Sequence, residues 1–251
     1  MEKEVYQQFY DLERDQWWFA GMRLICRTVL ERRLGGAGVG ATRCLDVGCG
    51  TGLWTKELER FGPGWSLDFS PEALAFCRQR GMARLVRASA SSLPFADGSF
   101  GLLTALGVIE HLDDDKGMLA ELHRVCKPGG HVLFLTSAYQ LLWSRHDEIV
   151  HHKRRYTDDQ FRKLLEGAGF ETVRSTYVNT VLFPLVLAVR LVQRMLGTTE
   201  TAGSGSPDVF MPPAIINRIL YLVLWAEAKL LRVMDFPFGV GLLALARKPS
   251  P

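Results

Sequence analysis

The sequence lacks the features that mark several large classes of protein. Its net charge is only +3 over 251 residues, and it has no basic stripe interleaved with aromatic residues, so we expect no nucleic acid partner. The first four residues, MEKE, are charged and not apolar, which predicts a cytoplasmic protein. The five cysteines show no paired metal-ligand spacing, so we expect reduced thiols and no bound metal.

Long hydrophobic runs are also absent. The two most apolar segments, 181–196 and 214–234, contain uninterrupted apolar stretches of only nine and eight residues, whereas a spanning helix needs roughly 20. Both segments carry basic residues in an amphipathic pattern, namely Arg190, Arg194, Lys229 and Arg232. Three interpretations stay open: helices packed on the body of the protein, a lid over an apolar substrate, and a surface for peripheral contact with the inner face of the membrane or for a homodimer.

A glycine-rich loop is the most informative motif that the sequence does contain. Residues 45–52 read LDVGCGTG, and glycines in such a turn let the backbone approach a ligand closely. Asp46 would repel a pyrophosphate but suits a ligand with a positive amino or sulfonium group, such as S-adenosylmethionine (SAM). The loop therefore favours SAM over NAD.

Four further blocks follow in a fixed order, and with them the sequence resembles the class I SAM-dependent methyltransferases over residues 43–137. The blocks are WSLDFSPEAL at 65–74, LPFADGSF at 93–100, VIEHL at 108–112 and RVCKPGG at 124–130. The resemblance implies an α/β, Rossmann-like sheet of seven strands, mostly parallel with the last strand antiparallel, and helices on both faces.

The periodicity of the chain agrees with this expectation. It predicts seven strands, near 43–47, 64–68, 84–87, 100–106, 131–136, 170–178 and 240–246. It predicts helices near 52–60, 71–80, 115–126 and 157–167, and two more within 3–34. We therefore divide the chain into an N-terminal helical cap (1–40), a SAM-binding core (41–179), a helical insertion (180–236) and a final strand with its tail (237–251).

The resemblance also implies which residues bind SAM. Asp46, Gly48 and Gly50 would embrace the methionine part, Asp68 would accept hydrogen bonds from the ribose hydroxyls, and Phe69 would flank the adenine.

Two further positions depart from the family pattern, and three others are predicted to lie near SAM. Ser89 stands before Ala90, where the family commonly has an acid for the adenine amino group, and Gly101 replaces a common Asp. Leu106, at the end of the fourth strand, would bring its backbone towards the sulfonium. On the N-terminal helix, Arg23 would meet the SAM carboxylate, and Trp18 belongs to an aromatic group that closes over the site or is buried.

A hydroxyl acceptor requires a proton acceptor, for which histidine is the natural candidate. His111 lies just after the fourth strand, and His146 and His151 follow the fifth strand on the same rim of the sheet. Arg154 and Arg155 could clamp an anionic group of the acceptor, and Tyr156, Tyr139 and Trp18 complete the predicted acceptor site. The alternatives are that His111 orients a loop and that 146–156 is a solvated loop.

These observations predict a SAM-dependent methyltransferase that modifies a small-molecule acceptor, amphiphilic or saccharide, at oxygen. The aromatic group at 17–19, the run 151–157 and the apolar insertion together resemble methyltransferases of bacterial glycan or lipid-linked saccharide pathways. Two alternatives remain. A non-catalytic module that binds SAM or stabilises a partner is suggested by Ser89 and Gly101, and an NAD-dependent oxidoreductase is disfavoured by Asp46.

Overall fold

A single seven-stranded sheet organises the protein. The computed structural model describes residues 3–35, 42–195 and 210–250. The strands are β1 (Cys44–Val47), β2 (Gly64–Asp68), β3 (Leu85–Arg87), β4 (Phe100–Leu106), β5 (Cys126–Ser137), β6 (Glu171–Val178) and β7 (Gly241–Arg247). The helices are α1 (Lys3–Leu12), α2 (Trp17–Leu34), α3 (Leu53–Leu58), α4 (Pro71–Gln79), α5 (Asp115–Val125), α6 (Arg145–Ile149), α7 (Asp158–Gly167), α8 (Phe183–Met195) and α9 (Ala214–Leu230).

The strand order is β3-β2-β1-β4-β5-β7-β6. Strands β1 to β5 pair in parallel, whereas β7 runs antiparallel between β5 and β6. The predicted Rossmann-like sheet with an antiparallel last strand is thus confirmed. The order reverses between β1 and β4, and open α/β sheets bind their ligands at such a switch point, outside the carboxyl ends of the strands.

Local sequence signals explain where several elements begin. Pro71 opens α4, and the Ser70 hydroxyl caps it by accepting a hydrogen bond from the Ala73 N–H at 3.2 Å. Thr157 and Gln160 form the predicted capping box at the start of α7. Strand β5 begins earlier than predicted because the CKPGG segment stays extended and pairs with Phe100 through a register shift.

The core lies on both sides of the sheet. On one face, Met118 and Leu122 of α5 and Phe161 of α7 are buried against strand residues. On the other face, Ile25 of α2 and Leu224 of α9 are buried. The predicted helices on both faces are therefore present.

Gly101, the departure noted at the start of β4, lies where the chain is crowded. A Cβ atom at this position would be 1.8 Å from the Thr42 hydroxyl oxygen. The absence of a side chain allows this close approach.

The two helices of the insertion differ in how they contact the body. Helix α9 lies close to α2, because a Cβ atom on Gly21 would be only 2.3 Å from Leu224 Cδ1. Its buried Glu227 accepts hydrogen bonds from the N–H groups of Asn179 and Thr180 at 2.5 and 2.9 Å, and burial raises the pKa of this carboxyl. Helix α8, in contrast, has no buried residue among those described.

One side of α9 is therefore buried on the body, whereas α8 contacts the body through Phe183, whose ring lies 5.7 Å from that of Tyr139 and 5.4 Å from that of Phe238. Residues 36–41, which include most of the glycine-rich sequence at 35–40, and residues 196–209, between α8 and α9, lie outside the described residues. None of the helices in the described part of the chain is long and apolar enough to cross a membrane.

Candidate functional site

The glycine loop lies at the carboxyl end of β1, at the switch point of the sheet. Gly48, Gly50 and Gly52 have φ angles of +70°, +53° and +88°. Residues with a Cβ atom adopt such angles only at a cost in conformational energy. The Gly48 and Cys49 N–H groups donate to the Leu67 carbonyl at the end of β2. The loop is thereby fixed between two strand ends, with a backbone that only glycine follows readily.

Asp68 connects the end of β2 to this loop. Its carboxylate accepts hydrogen bonds from the Gly50 N–H and the Ser70 N–H, both at 2.9 Å. Burial raises the pKa of the Asp68 carboxyl, and these backbone N–H groups oppose the rise. The neighbouring Phe69 is 71% exposed, so its ring offers a free apolar face next to the carboxylate.

Asp46 lies behind the loop and not on its open side. Its two carboxylate oxygens accept hydrogen bonds from the hydroxyls of Thr55 at 2.6 Å and Thr104 at 2.8 Å. Burial raises the pKa of Asp46 to about 7, against the effect of these hydroxyls. Asp46 is thus enclosed by two hydroxyl groups, and its predicted place beside the methionine part of SAM stays a prediction.

The remaining predicted cofactor residues follow β3 and β4. The Ser89 hydroxyl accepts a hydrogen bond from the Ser91 N–H at 3.2 Å, and Ala90 is buried beside it. Leu106 ends β4 and is followed by Gly107, which has a φ of +69° and no atom within 4 Å of the position a Cβ would take. Open space therefore lies beside this strand end.

The turn between α1 and α2 contacts the glycine loop through Glu13 and its partner Arg80. The sequence patterns did not indicate either residue. The Glu13 carboxylate accepts hydrogen bonds from the Thr51 hydroxyl and from the Arg80 guanidinium. Arg80 also donates to the Thr51 carbonyl at 2.9 Å. No periodicity marks Glu13, because its partners are distant in sequence and meet only in the folded chain.

Tyr6 of α1 lies near Asp68 and Ser70, and the sequence patterns did not indicate it. It is buried with Ala73 and Phe76 of α4. Burial and the nearby Asp68 raise the pKa of Tyr6 to about 12. The sequence predicted a helix here, but it did not show which surface the helix covers.

Arg23 and Trp18 take positions that differ from the prediction. The Arg23 guanidinium donates to the carbonyls of Glu13 and Arg14, so it stabilises the turn before α2 instead of extending towards a ligand. Trp18 is 38% exposed and lies edge-on to Phe19 at 5.1 Å. Its aromatic group is thus neither fully buried nor closed over the glycine loop.

His111 lies next to the end of β4, as predicted, but its ring contacts the loop that follows β5. It hydrogen-bonds the backbone of His151 and Val150, and the His152 ring lies edge-on at 4.6 Å. Burial and the neighbouring His152 lower the pKa of His111 to about 4. These contacts favour the alternative that His111 orients a loop. The low pKa favours the same alternative, because a group with so low a pKa is a weak base.

Within this loop, Asp147, His152 and Arg155 form a hydrogen-bonded network. Asp147 is fully buried and lies 2.7 Å from His152 Nδ1. Arg155 donates to both Asp147 oxygens, at 2.8 and 3.0 Å. Burial raises the pKa of Asp147, but the hydrogen bonds from His152 and Arg155 outweigh burial and hold it well below its usual range.

The basic residues predicted to clamp an acceptor anion are engaged within the chain. Arg155 pairs with Asp147, and Arg154 donates to Asp115 at 2.8 Å. Tyr156 is buried and also donates to Asp115, at 3.1 Å. The guanidinium groups are partnered by carboxylates of α6 and α5, so the structure gives them a scaffolding role instead of the predicted anion clamp.

The other predicted residues of this rim have varied environments. His151 is exposed and has a φ of +60°, and the His146 ring lies 6.4 Å from the His152 ring. The Tyr139 ring stacks on Tyr177 at 4.9 Å. The short helix α6, which carries His146 and Asp147, was not predicted, although Ser144 and Asp147 form a recognisable capping box.

Within the described residues, no group of three or more His, Cys, Asp or Glu side chains could hold a metal ion. The site offers instead a carboxylate at the end of β2, an exposed aromatic face and a glycine loop. A ribose hydroxyl pair, an adenine ring and a close backbone approach would fit these three features respectively.

The fold and the site together define a Rossmann-like nucleoside-binding protein of the methyltransferase type. Residues 45–134 match the family described as Methyltransferase domain. The demethylmenaquinone methyltransferase of Anoxybacillus flavithermus is 38% identical over 220 residues, which cover 83% of this chain and 79% of the relative. The enzymes of that name from two Geobacillus species match over 56% of their length.

A second relative and a solved structure agree with this match. The malonyl-[acyl-carrier protein] O-methyltransferase of Serratia marcescens is 30% identical over 183 residues, 69% of this chain and 71% of the relative. A structure from the complex between the Haloferax volcanii Trm112 methyltransferase activator and a methyltransferase superposes with a TM-score of 0.61 at 16% identity, covering 99% of this chain and 98% of that one.

The chain belongs to the SAM-dependent methyltransferase family. It is therefore an enzyme with SAM as its methyl donor and a small molecule as its acceptor. The predicted cofactor and class are confirmed, and the NAD-dependent oxidoreductase is excluded. The individual site residues stay predictions.

A substitution at Gly48 tests the close contact between the glycine loop and Val108, which follows β4. A Cβ atom on Gly48 would lie 2.4 Å from Val108 Cγ2, and the positive φ adds strain. We expect Gly48→Ala to weaken SAM binding by about 2 kcal/mol, measured by titration calorimetry.

The double variant Gly48→Ala/Val108→Ala provides the control. It removes the steric part of the cost but not the backbone strain, so it should recover part of the affinity. Full affinity in the single variant would show that the loop tolerates a side chain at this position.

Proposed function

We propose that this enzyme transfers the methyl group of SAM to a hydroxyl oxygen of a small amphiphilic or lipid-linked saccharide acceptor. The observation that supports oxygen as the acceptor atom is the histidine cluster beside the end of β4, since a hydroxyl must lose its proton as it is methylated. One relative is named an O-methyltransferase, which supports oxygen as the acceptor atom, and another is named for demethylmenaquinone, which supports an amphiphilic acceptor.

The residues proposed to hold SAM lie on three strand ends. Asp68 would bind the ribose hydroxyls, Phe69 the adenine face, and the backbone of Gly48, Gly50 and Leu106 the remainder. Ser89 and Ala90 would border the adenine. When bound, SAM supplies an electrophilic methyl group and a good leaving group, so the protein contributes chiefly by orienting the acceptor.

The acceptor class is tested with SAM labelled in its methyl group. The enzyme is incubated with an extract of bacterial cells, which is then divided into organic, aqueous, protein and nucleic acid fractions. We expect label in the organic fraction, or in the saccharides of the aqueous fraction, and a methoxy group in the product by mass spectrometry. Label confined to protein or nucleic acid would contradict the proposal, and tight binding of S-adenosylhomocysteine without any turnover would support a non-catalytic module.

We further propose that the insertion places the enzyme on the inner face of the membrane. Helices α8 and α9 each expose large apolar side chains, including Leu185, Val189 and Met195 on α8 and Ile215 and Ile219 on α9. The same helices carry Arg190, Arg194, Arg218 and Lys229, while their one acid, Glu227, is buried. An apolar surface with basic residues and no exposed acid is complementary to an anionic bilayer.

Vesicle co-sedimentation tests this surface. We expect the protein to bind vesicles that contain phosphatidylglycerol and to bind purely phosphatidylcholine vesicles less, because the basic residues contribute about 1 kcal/mol each near an anionic surface. The double variant Val189→Asp/Ile215→Asp should lose binding. Ala96→Asp, which alters an exposed residue of the loop before β4, is the control and should bind normally.

Equal sedimentation of the double variant and the wild type would argue against membrane contact. In that case light scattering would show whether the same apolar surface forms a homodimer, the other interpretation of this segment.

A further inference from the structure

The hydrogen-bond network around Asp147 determines which nitrogen of His152 carries its hydrogen. The Asp147 carboxylate accepts hydrogen bonds from Arg155 and from the Ser144 N–H at 2.8 Å. An ionised carboxylate can only accept. His152 Nδ1, at 2.7 Å from Oδ1, must therefore be the donor, and Nε2 is left with the lone pair when the ring is neutral.

His152 lies at the carboxyl rim of the sheet. The Lys153 N–H donates to the Glu110 carbonyl at 2.7 Å, which ties the chain beside His152 to the segment after β4. The Glu110 side chain in turn accepts a hydrogen bond from Thr136 of β5 at 3.0 Å. The chain at His152 is thus held beside the segment that follows β4, at the carboxyl ends of β4 and β5.

Access distinguishes His152 from Asp147. Asp147 has no exposed side-chain surface, whereas 9% of the His152 side chain is exposed. Any group that approaches this pair from solvent can reach it only through the histidine. His111 lies edge-on to the ring, but its hydrogen bonds to the backbone of His151 and Val150 commit it to the loop.

We infer that His152 is the proton acceptor of the methyl transfer and that Asp147 is its positioning residue. This inference rests on the proposed O-methylation. As the acceptor oxygen forms its bond to the methyl carbon and the carbon–sulfur bond breaks with its electron pair going to sulfur, the hydroxyl proton passes to His152 Nε2. Asp147, held by Arg155, fixes the ring orientation and faces the positive charge that the ring gains. Solvent then takes the proton.

The charged and titratable groups around His152 come from three segments. Asp147 and His146 lie on α6, Arg155 lies further along the same loop, and His111 and Glu110 follow β4. A pH profile of the wild type contains contributions from all of them. The comparison of variants, and not the wild-type profile alone, isolates His152.

Nitrogen-15 NMR of the six histidines tests the inference without an acceptor. We expect neutral His152, assigned through a His152→Gln variant, to carry its hydrogen on Nδ1. The Asp147→Asn variant should lose this preference. Hydrogen on Nε2 in the wild type would overturn the inference, because that nitrogen could not then accept a proton.

Activity is measured with labelled SAM and the organic-phase extract as acceptor. We expect His152→Gln to lower kcat by about 10²- to 10⁴-fold, to leave KM for SAM within about twofold, and to lose the rise of activity with pH. His123→Gln, which changes a histidine on α5 beside Phe170, is the matched control and should retain wild-type kinetics.

The outcomes separate the two levels of the hypothesis. A methoxy product together with unchanged kcat and pH profile in His152→Gln would overturn the role of His152 while the proposed function stands. A wild-type product with the methyl group on carbon or nitrogen would overturn the proposed function and the inference that rests on it.

Discussion

The Asp68→Ala variant is expected to lose most of its affinity for SAM while remaining folded. The carboxylate holds the Gly50 and Ser70 N–H groups at 2.9 Å and is the group proposed to bind the ribose. Hydrogen bonds to a charged acceptor contribute about 1.5–3 kcal/mol each. We therefore expect a loss of about 3 kcal/mol or more, roughly a hundredfold or greater increase in Kd, measured by titration calorimetry.

Stability should respond differently to this change. The folded-state pKa of Asp68 is raised by burial, so the folded protein binds a proton more readily than the unfolded chain, and the ionised carboxylate lowers stability as pH rises. Removing it relieves that cost, which offsets the lost hydrogen bonds. Asp97→Asn, in an exposed pair with Arg124, serves as the control and should bind SAM normally. An Asp68→Ala protein with wild-type affinity would refute the ribose assignment.

The Asp147→Ala variant is expected to show the largest loss of stability. The change leaves the Arg155 guanidinium, 8% exposed, without its counter-charge and removes the hydrogen bond to His152. Breaking a buried ion pair by removing one partner costs about 3–5 kcal/mol. We expect a decrease of this size in the free energy of unfolding at pH 7, measured by urea denaturation.

The pH dependence gives a second signature of the same network. The pKa of Asp147 is held below its ordinary value of 3.8, so the folded state favours the ionised form. Its contribution to stability is complete above pH 3.8 and is lost as pH falls below that value towards the folded-state pKa. The difference between wild type and variant should therefore shrink in acid. Asp158→Ala, which removes a partly exposed partner of Arg162, is the control and should lose 1 kcal/mol or less.

The local pattern of the sequence was sufficient to predict the sheet. Strand β1 is buried throughout and β7 nearly so, and such strands appear as short apolar runs whatever their neighbours. The capping residues of α4 and α7 act within one turn of their helix. The order of the motifs then implied the family, and with it the antiparallel position of β7.

Contacts between distant segments were not predictable in this way. Arg155 and Arg154 are basic residues in a polar loop, and their sequence does not reveal that Asp147 and Asp115 neutralise them. Asp46 was expected at the ligand, but Thr55 and Thr104 from two other elements enclose it. Both α8 and α9 have the sequence pattern of an amphipathic helix. Only α9, however, packs against a helix that offers it a glycine, α2.

The sequence by itself determined the class of this protein and its cofactor, and it predicted the strand ends at which the cofactor binds, because these depend on local spacing of glycines, apolar runs and caps. Only the tertiary structure decided which side chains are free to act. Hydrogen bonding and burial between segments far apart in the chain direct His111 to a loop backbone and Arg155 to a carboxylate. They also orient His152, which no local pattern distinguished from its neighbours.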